Sequence, residues 1–293
     1  MSYPVDNAVI MAAGTSSRFA PLSWEMPKAL IPVRGEVLIE RQIRQLKEAG
    51  IDDVIVVTGY KKECFDSLRG KFGVRLVHNP DYHVRNNHSS IHAVKDFLRN
   101  SYICSSDNYF TQNPFENRVD GAYYAAVYAD GETKEWCMQT GPDGYVNQVQ
   151  IGGKNAWYML GHVFWDETFT RTFLDILERE YDLPETKDKL WEAIYMAHLD
   201  VLKLKIRKYT DDFIFEFDSL DELRVFDPSY RTDTRSGIIA GLAAQLGCTQ
   251  DALSDFRALK APGETEAIGF SFEYGGETYR YLYKTKEWGR KNG

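Results

Sequence analysis

Residues 8–30, AVIMAAGTSSRFAPLSWEMPKAL, decide the fold. Positions 8–12 form a short apolar run closed by Gly14, the pattern of a buried strand feeding a loop. Residues 15–28 are rich in Ser, Pro and charge, which predicts an irregular loop. It is long for a strand-to-helix connection, and such loops are often functional. Beyond it Leu38, Ile39, Ile43 and Leu46 recur at helical spacing, with Gly50 placed as a C-terminal cap. Working outward, DVIVVT (53–58) is β-branched and almost continuously apolar, as a parallel strand covered on both faces requires. A charged helix at about 61–68, a strand at 74–78, the polar loop NPDYHVRNN (79–87), a helix at 89–98 and a strand at 102–104 follow. Alternation of this kind specifies a doubly wound sheet whose ligands lie at the carboxyl ends of its strands.

After residue 120 the pattern changes to short strands, AYYAAVY, EWCMQT, YVNQVQI and WYMLGHVFW, separated by Gly and Asp turns. Helices are predicted at 167–180 and roughly 187–197, and strands in VLKLKIR and DDFIFEFDS. Beyond 226 come a helix near 236–246, a second started by Thr249, and a hairpin turning at Gly275-Gly276. The expected fold is therefore α/β: a doubly wound, mostly parallel mixed sheet with an antiparallel acceptor-binding lobe and a small α+β C-terminal appendage. Residues 1–227 form the main domain in this reading, and 228–293 a helix-hairpin module without an assigned role.

Composition narrows the function. A formal charge of −8 over 293 residues argues against a nucleic-acid partner, since such modules carry a clustered basic face. Cys64, Cys104, Cys137 and Cys248 form no CxxC pair and no metal-ligand spacing, which fits free thiols in a reducing, cytoplasmic compartment. The apolar run at the N-terminus is short and lacks the basic flank of a signal peptide, and no run of about 18 apolar residues exists to span a membrane.

Three stretches carry chemistry. In the first loop, Gly14, Thr15 and Ser16 let backbone N–H groups close on phosphate oxygens, while Arg18 offers a planar fork and Lys28 a compact charge. An ordinary surface loop with a solvated Arg and Lys fits the loop alone equally well. In SYICSSDNYF, Asp107 follows a short strand, a placement suited to holding Mg²⁺ against triphosphate oxygens or to capping a turn. In IFEFDSLDEL, Asp218 ends another strand and could also N-cap the next helix. The two aspartates are far apart in sequence, but separate strand ends converge on one crevice in such a sheet.

The opening stretch resembles the signature of the nucleoside-triphosphate transferase superfamily, apolar-A-A-G-x-G-x-R followed by P-K. Ala12, Ala13, Gly14, Arg18, Pro27 and Lys28 fall into place, and Ser16 stands where the second glycine is usual. Over most of residues 7–227 the chain is similar to the bacterial CTP:phosphocholine cytidylyltransferases. PKAL (27–30), FGVRLVHNPDY (72–82), Asn86-Asn87 with Ser90, SSDNYF (105–110), EW (135–136), VFWD (163–166), LWE (190–192) and FEFDS (215–219) carry that likeness. The resemblance implies a Rossmann-like nucleotidyltransferase fold and transfer of CMP from CTP to phosphocholine. Asp107 and Asp218 would then bind magnesium, Arg18 and Lys28 would hold phosphates, and the 79–90 region would lie near the nucleotide base. Ala12, Ala13, Gly14, Thr15, Ser16, Asn79, Asn87 and Ser90 become the nucleotide-binding set.

It also implies an aromatic and acidic pocket for the acceptor. A quaternary ammonium donates no hydrogen bonds, so ring faces and carboxylates must hold it. Trp136 and Trp191 are the ring candidates, and Asp188 and Glu192 could supply the negative field. Trp191 could equally anchor an amphipathic helix. Leu190 stands where the family often has tyrosine, which leaves 2-aminoethylphosphonate or a sugar phosphate as rival acceptors. A catalytically silent nucleotide-sensing subunit is the rival of another class, and retention of Arg18, Lys28, Asp107 and Asp218 speaks against it. His88 and His92 sit four apart on a predicted helix, yet no third zinc ligand is evident. The tail faintly resembles the opening hairpin of choline-kinase-like phosphotransferases but continues into no kinase motif. Docking or dimerisation is the role it suggests, with a homodimer as the assembly.

Overall fold

A computed structural model describes residues 2–263 and 265–291. The chain forms two compact units. Residues up to Gly14 and Ile39–Glu216 make the first; Thr15–Leu38 and the chain from Phe217 onward make the second. The boundary expected at 227 falls inside the second unit.

In the first unit the main strands are β1 (Asn7–Ala12), β2 (Val54–Thr58), β3 (Arg75–His78), β4 (Ser101–Ser105), β5 (Asn108–Phe110), β6 (Tyr123–Thr140), β7 (Val146–Trp165), β8 (Lys205–Tyr209) and β9 (Ile214–Glu216). Seven of them form one mixed sheet in the order β8-β6-β7-β4-β1-β2-β3, and β5 pairs antiparallel with β9 in a separate ribbon. Within the sheet β1 runs parallel to β2 and β4, and β7 lies antiparallel to both β4 and β6. Ala8, Val9 and Ile10 of β1 and Ile55, Val56 and Val57 of β2 are all fully buried, as a strand covered on both faces demands.

The helices are α1 (Leu38–Glu48), α2 (Ser67–Phe72), α3 (His88–Ala93), α4 (Glu167–Glu180) and α5 (Trp191–Ala197). The apolar residues of α1 predicted from their spacing, Leu38, Ile39, Ile43 and Leu46, are all buried. Gly50 beyond it adopts φ +81 and donates its N–H to the Lys47 carbonyl, the C-terminal stop expected of it.

Several expectations need correction. The four short strands are two long ones, β6 of 18 residues and β7 of 20. The turn read at 141–144 forms between β6 and β7, with the Gly141 N–H donating to the Tyr145 carbonyl at 2.8 Å. Gly131 sits in a bulge instead, where it has φ +99, its N–H reaches Asn155 Oδ1 at 2.8 Å, and the register shifts between Ala129 and Glu132. The helix expected over 89–98 ends at Ala93 and gives way to a 3₁₀ turn, Lys95–Phe97. The one expected from 187 begins only at Trp191.

The second unit holds α6 (Leu220–Phe226), α7 (Gly237–Leu246) and a four-stranded antiparallel sheet of β10 (Ser254–Lys260), β11 (Ala267–Tyr274), β12 (Glu277–Leu282) and β13 (Trp288–Arg290). The Gly275-Gly276 hairpin forms as read, both glycines at positive φ. Thr249 starts only a 3₁₀ turn, Gln250–Ala252, and the strand β10 after it was not foreseen. The loop at 15–28 is not irregular. It coils through short helical turns at Ser17–Phe19 and Leu22–Glu25 and enters a third, Lys28–Leu30.

Candidate active site

Ala12 and Ala13 are buried where β1 ends, and a Cβ added at Gly14 would meet no protein atom. Ser16 has φ +47 and ψ +40, the left-handed conformation that glycine adopts at little cost. That geometry accounts for the glycine usual at this place in the signature. Lys28 is buried although it is a lysine, and its Nζ lies 5.5 Å from the centre of the Phe19 ring. Arg18 is exposed and forms an ion pair with Asp218.

Asp218 is not the cap of α6. Ser219 caps it, its side chain accepting from the Glu222 N–H at 3.2 Å, while Glu222 Oε2 accepts from the Asp218 N–H at 2.7 Å. This reciprocal arrangement resembles a capping box and leaves the Asp218 carboxylate to Arg18.

In the first unit Asp107 sits, half-buried, in the two-residue turn between β4 and β5. The turn is braced from α1: the buried Gln42 donates from Nε2 to the carbonyls of Ser105 at 2.8 Å and Asn108 at 2.9 Å, one on each side of Asp107. Glu216, the last residue of β9, stands opposite Asn108 and accepts from its Nδ2 at 3.3 Å.

The loop after β3 is tied together by its own polar side chains. Asn79, fully buried, donates to Ser89 Oγ at 2.8 Å and Ser90 Oγ at 3.2 Å and accepts from the Asp81 N–H at 2.9 Å. Asn87 faces the other way. Its Oδ1 accepts from the Trp191 N–H at 2.7 Å, where α5 starts, and its Nδ2 donates to Glu192 Oε2 at 3.2 Å. His88 Nδ1 meets the Lys189 carbonyl at 2.8 Å and His92 stacks on Tyr181, so neither histidine is arranged as half of a zinc pair.

Among the acceptor candidates the neighbours Trp191 and Glu192 part company. The Trp191 ring is 1% exposed, with Tyr124 stacked on it and Trp165 and Phe173 at its edges. It belongs to the hydrophobic core and offers no open face. The Glu192 carboxyl takes hydrogen bonds from Asn87 and from the Tyr124 hydroxyl at 3.2 Å, and loss of water pushes its pKa up to about 7. Burial, then the carboxylates of Glu192 and Glu216, holds the Tyr124 phenol protonated. Tyr158 feels burial and then Glu135 and Glu216 in the same sense. Trp136 is half-buried against the core, and Asp188 is exposed, its backbone carbonyl accepting from Asn86.

The sequence therefore missed Tyr124, Tyr158, Glu216 and Gln42. Glu216 sits inside the quoted FEFDS motif, which is the one signal that could have raised it.

Residues 8–113 match the family described as the MobA-like NTP transferase domain. The choline-phosphate cytidylyltransferase of Streptococcus pneumoniae is 36% identical over 217 residues, 74% of this chain and 95% of that protein. The 2-aminoethylphosphonate cytidylyltransferase of Lancefieldella rimae is 32% identical, with 76% of this chain and 93% of that protein covered. Among solved structures, the CTP:phosphocholine cytidylyltransferase of Streptococcus pneumoniae superposes with a TM-score of 0.73 at 35% identity, over 78% of this chain and 99% of that one. With a Rossmann-like mixed sheet, a signature loop after its first strand and near end-to-end likeness to such an enzyme, the chain belongs to the choline-phosphate cytidylyltransferase family of nucleotidyltransferases.

Proposed function

We propose that this chain transfers CMP from CTP to phosphocholine, giving CDP-choline and pyrophosphate. A phosphate oxygen of the acceptor attacks the α-phosphorus, the bond to the oxygen bridging toward the β-phosphorus breaks, and that oxygen leaves with the electron pair as pyrophosphate. Lys28 offsets charge at the reacting phosphorus and Arg18 restrains the departing pyrophosphate. Alignment and electrostatics supply the acceleration.

Magnesium belongs to this reading. Asp107 and Asp218 offer carboxylate oxygens, the hard donors this ion takes, and the donor chemistry fits. Asp107 belongs to the first unit and Asp218 to the second, where it pairs with Arg18. Among the described residues no three His, Cys, Asp or Glu gather to enclose a metal, so phosphate and water oxygens would complete the shell. Bound there, the ion would neutralise charge on the triphosphate oxygens.

The observation that carries the choline assignment is the Glu192 carboxyl, set with Tyr124 among buried rings and under the influence of Glu216. A trimethylammonium group lies well against phenol rings beside carboxylates that need no hydrogen bond from it. The relative that acts on 2-aminoethylphosphonate and the leucine at 190 support a second reading, in which a primary ammonium donates hydrogen bonds to the same carboxylates. Cytoplasmic residence is part of the proposal, supported by four cysteines that are all free.

Purified protein with CTP and Mg²⁺ tests the assignment against phosphocholine, 2-aminoethylphosphonate and a sugar phosphate, scored by pyrophosphate release. Phosphocholine should give the highest kcat/KM. Turnover confined to the aminophosphonate would replace the acceptor, and none with any acceptor would remove the activity.

A further inference from the structure

We propose that the carboxyl-terminal part of the second unit is a clasp that positions the phosphate loop, with Trp24 as its positioning residue. The proposal rests on the reading of Arg18 and Lys28 as phosphate-holding groups. Trp24 and Glu25 lie between those two cations in sequence, on the short turn Leu22–Glu25. The Trp24 indole stacks on the Tyr283 ring with centroids 4.2 Å apart and planes 4° from parallel. Glu25 Oε1 accepts from the Ile238 N–H in the first turn of α7 at 3.3 Å.

The chain after Lys28 is held as well. The Tyr230 hydroxyl donates to the Pro32 carbonyl at 2.6 Å, Asp227 Oδ2 accepts from the Arg34 N–H at 2.7 Å, and the Arg34 guanidinium lies 3.8 Å from the centre of the Phe226 ring. Tyr283 is itself fixed, its ring packed 5.9 Å from Phe270 and 6.1 Å from Tyr281 in the four-stranded sheet. Contacts from residues 226–283 thus bracket Lys28 on both sides. Two cations hold a triphosphate at a defined spacing with less loss of affinity when the loop bearing them is ordered before the ligand arrives. About a quarter of this chain is left unmatched by the pneumococcal relative, which is itself covered almost end to end. The clasp gives the carboxyl-terminal sheet a task in the reaction without requiring a second activity.

The test uses the full chain carrying Trp24→Ala or Trp24→Phe, read by hydrogen exchange over residues 15–38 and by steady-state kinetics. Trp24→Ala should speed exchange in that segment and raise the KM for CTP by about fivefold, the weight of one ring stack. The KM for the acceptor should stay put. Trp24→Phe, which keeps an aromatic face, should recover most of both effects. Unchanged exchange in Trp24→Ala overturns the clasp. So does a phenylalanine variant no better than alanine, or a rise shared equally by both substrates. If the wild-type chain released no pyrophosphate with any acceptor, the proposed activity would fall, and the exchange comparison would still decide whether the clasp exists.

Discussion

Arg18 and Asp218, 200 residues apart in the chain, form an ion pair with each other. One was expected to hold phosphate and the other metal, so in the free protein each occupies its partner with opposite charge. Both side chains are substantially exposed, at 75% and 40%, and such pairs contribute only about 0–1 kcal/mol. If Arg18 holds phosphate and Asp218 metal as proposed, binding separates the pair at little expense.

That weakness gives a first prediction. Asp218→Asn and Arg18→Ala should each change the unfolding free energy by less than about 1 kcal/mol. Each should lower kcat/KM on the order of 100-fold, as loss of one positioned charge does at a phosphoryl centre. Denaturant melts and pyrophosphate release measure the two. A large loss of stability with intact turnover would make the pair a strut.

Ser16 is strained by its left-handed backbone. Replacing it by glycine removes that strain but adds chain entropy to the unfolded state, so Ser16→Gly should stabilise by about 0.5 kcal/mol. Ser16→Val should destabilise by about 1 kcal/mol or more, because a β-branched side chain resists this conformation. Urea denaturation of the two variants is the measurement.

Glu192 makes stability depend on pH. Its carboxyl titrates near 7 in the folded protein against an ordinary value of 4.5, so the native state binds the extra proton between those limits. The stabilisation is complete below the unfolded value and is lost as pH rises through about 7, a swing on the order of 3 kcal/mol. Glu192→Gln should abolish that swing and be more stable than wild type at pH 8. A cationic acceptor favours the ionised form. Calorimetry at pH 6 in buffers of different ionisation enthalpy should accordingly show a proton released on acceptor binding in the wild type and none in the variant.

Gln42 holds the carbonyls on either side of Asp107. Gln42→Leu leaves both without that donor and should cost about 2 kcal/mol. It should also lower kcat at saturating CTP, because the aspartate's turn loses its brace. Stability lost without any loss of kcat would confine Gln42 to the fold.

What the sequence revealed follows from how locally each feature is determined. The buried faces of β1 and β2 require apolar residues at every position, and the α1 residues that are buried recur at helical spacing, so these elements could be read directly. The long strands β6 and β7 could not, because a glycine at positive φ serves a bulge as well as a turn, and Gly131 looks the same in either. Strand β10 carries charges through most of its length and buries little besides Phe256, which leaves no clean alternation. Trp191 and Glu192 are adjacent letters, but neighbouring side chains on a helix point about 100° apart, and that turn sends one into the core and the other to Tyr124. Glu216 and Gln42 act through partners about 70 to 110 residues away, and pattern within a window cannot see them.

The grouping of Thr15–Leu38 with the chain after Glu216 bears on how the protein is made. During synthesis the segment around Arg18 leaves the ribosome 200 residues ahead of Asp218. At about 5–20 residues per second it waits roughly 10–40 s for its companions. The nascent loop around Arg18 lacks its partners through that interval, and a message cut short before the last sheet would yield a chain whose β1, β2 and β4 can pair while the loop at 15–38 has nothing to close upon.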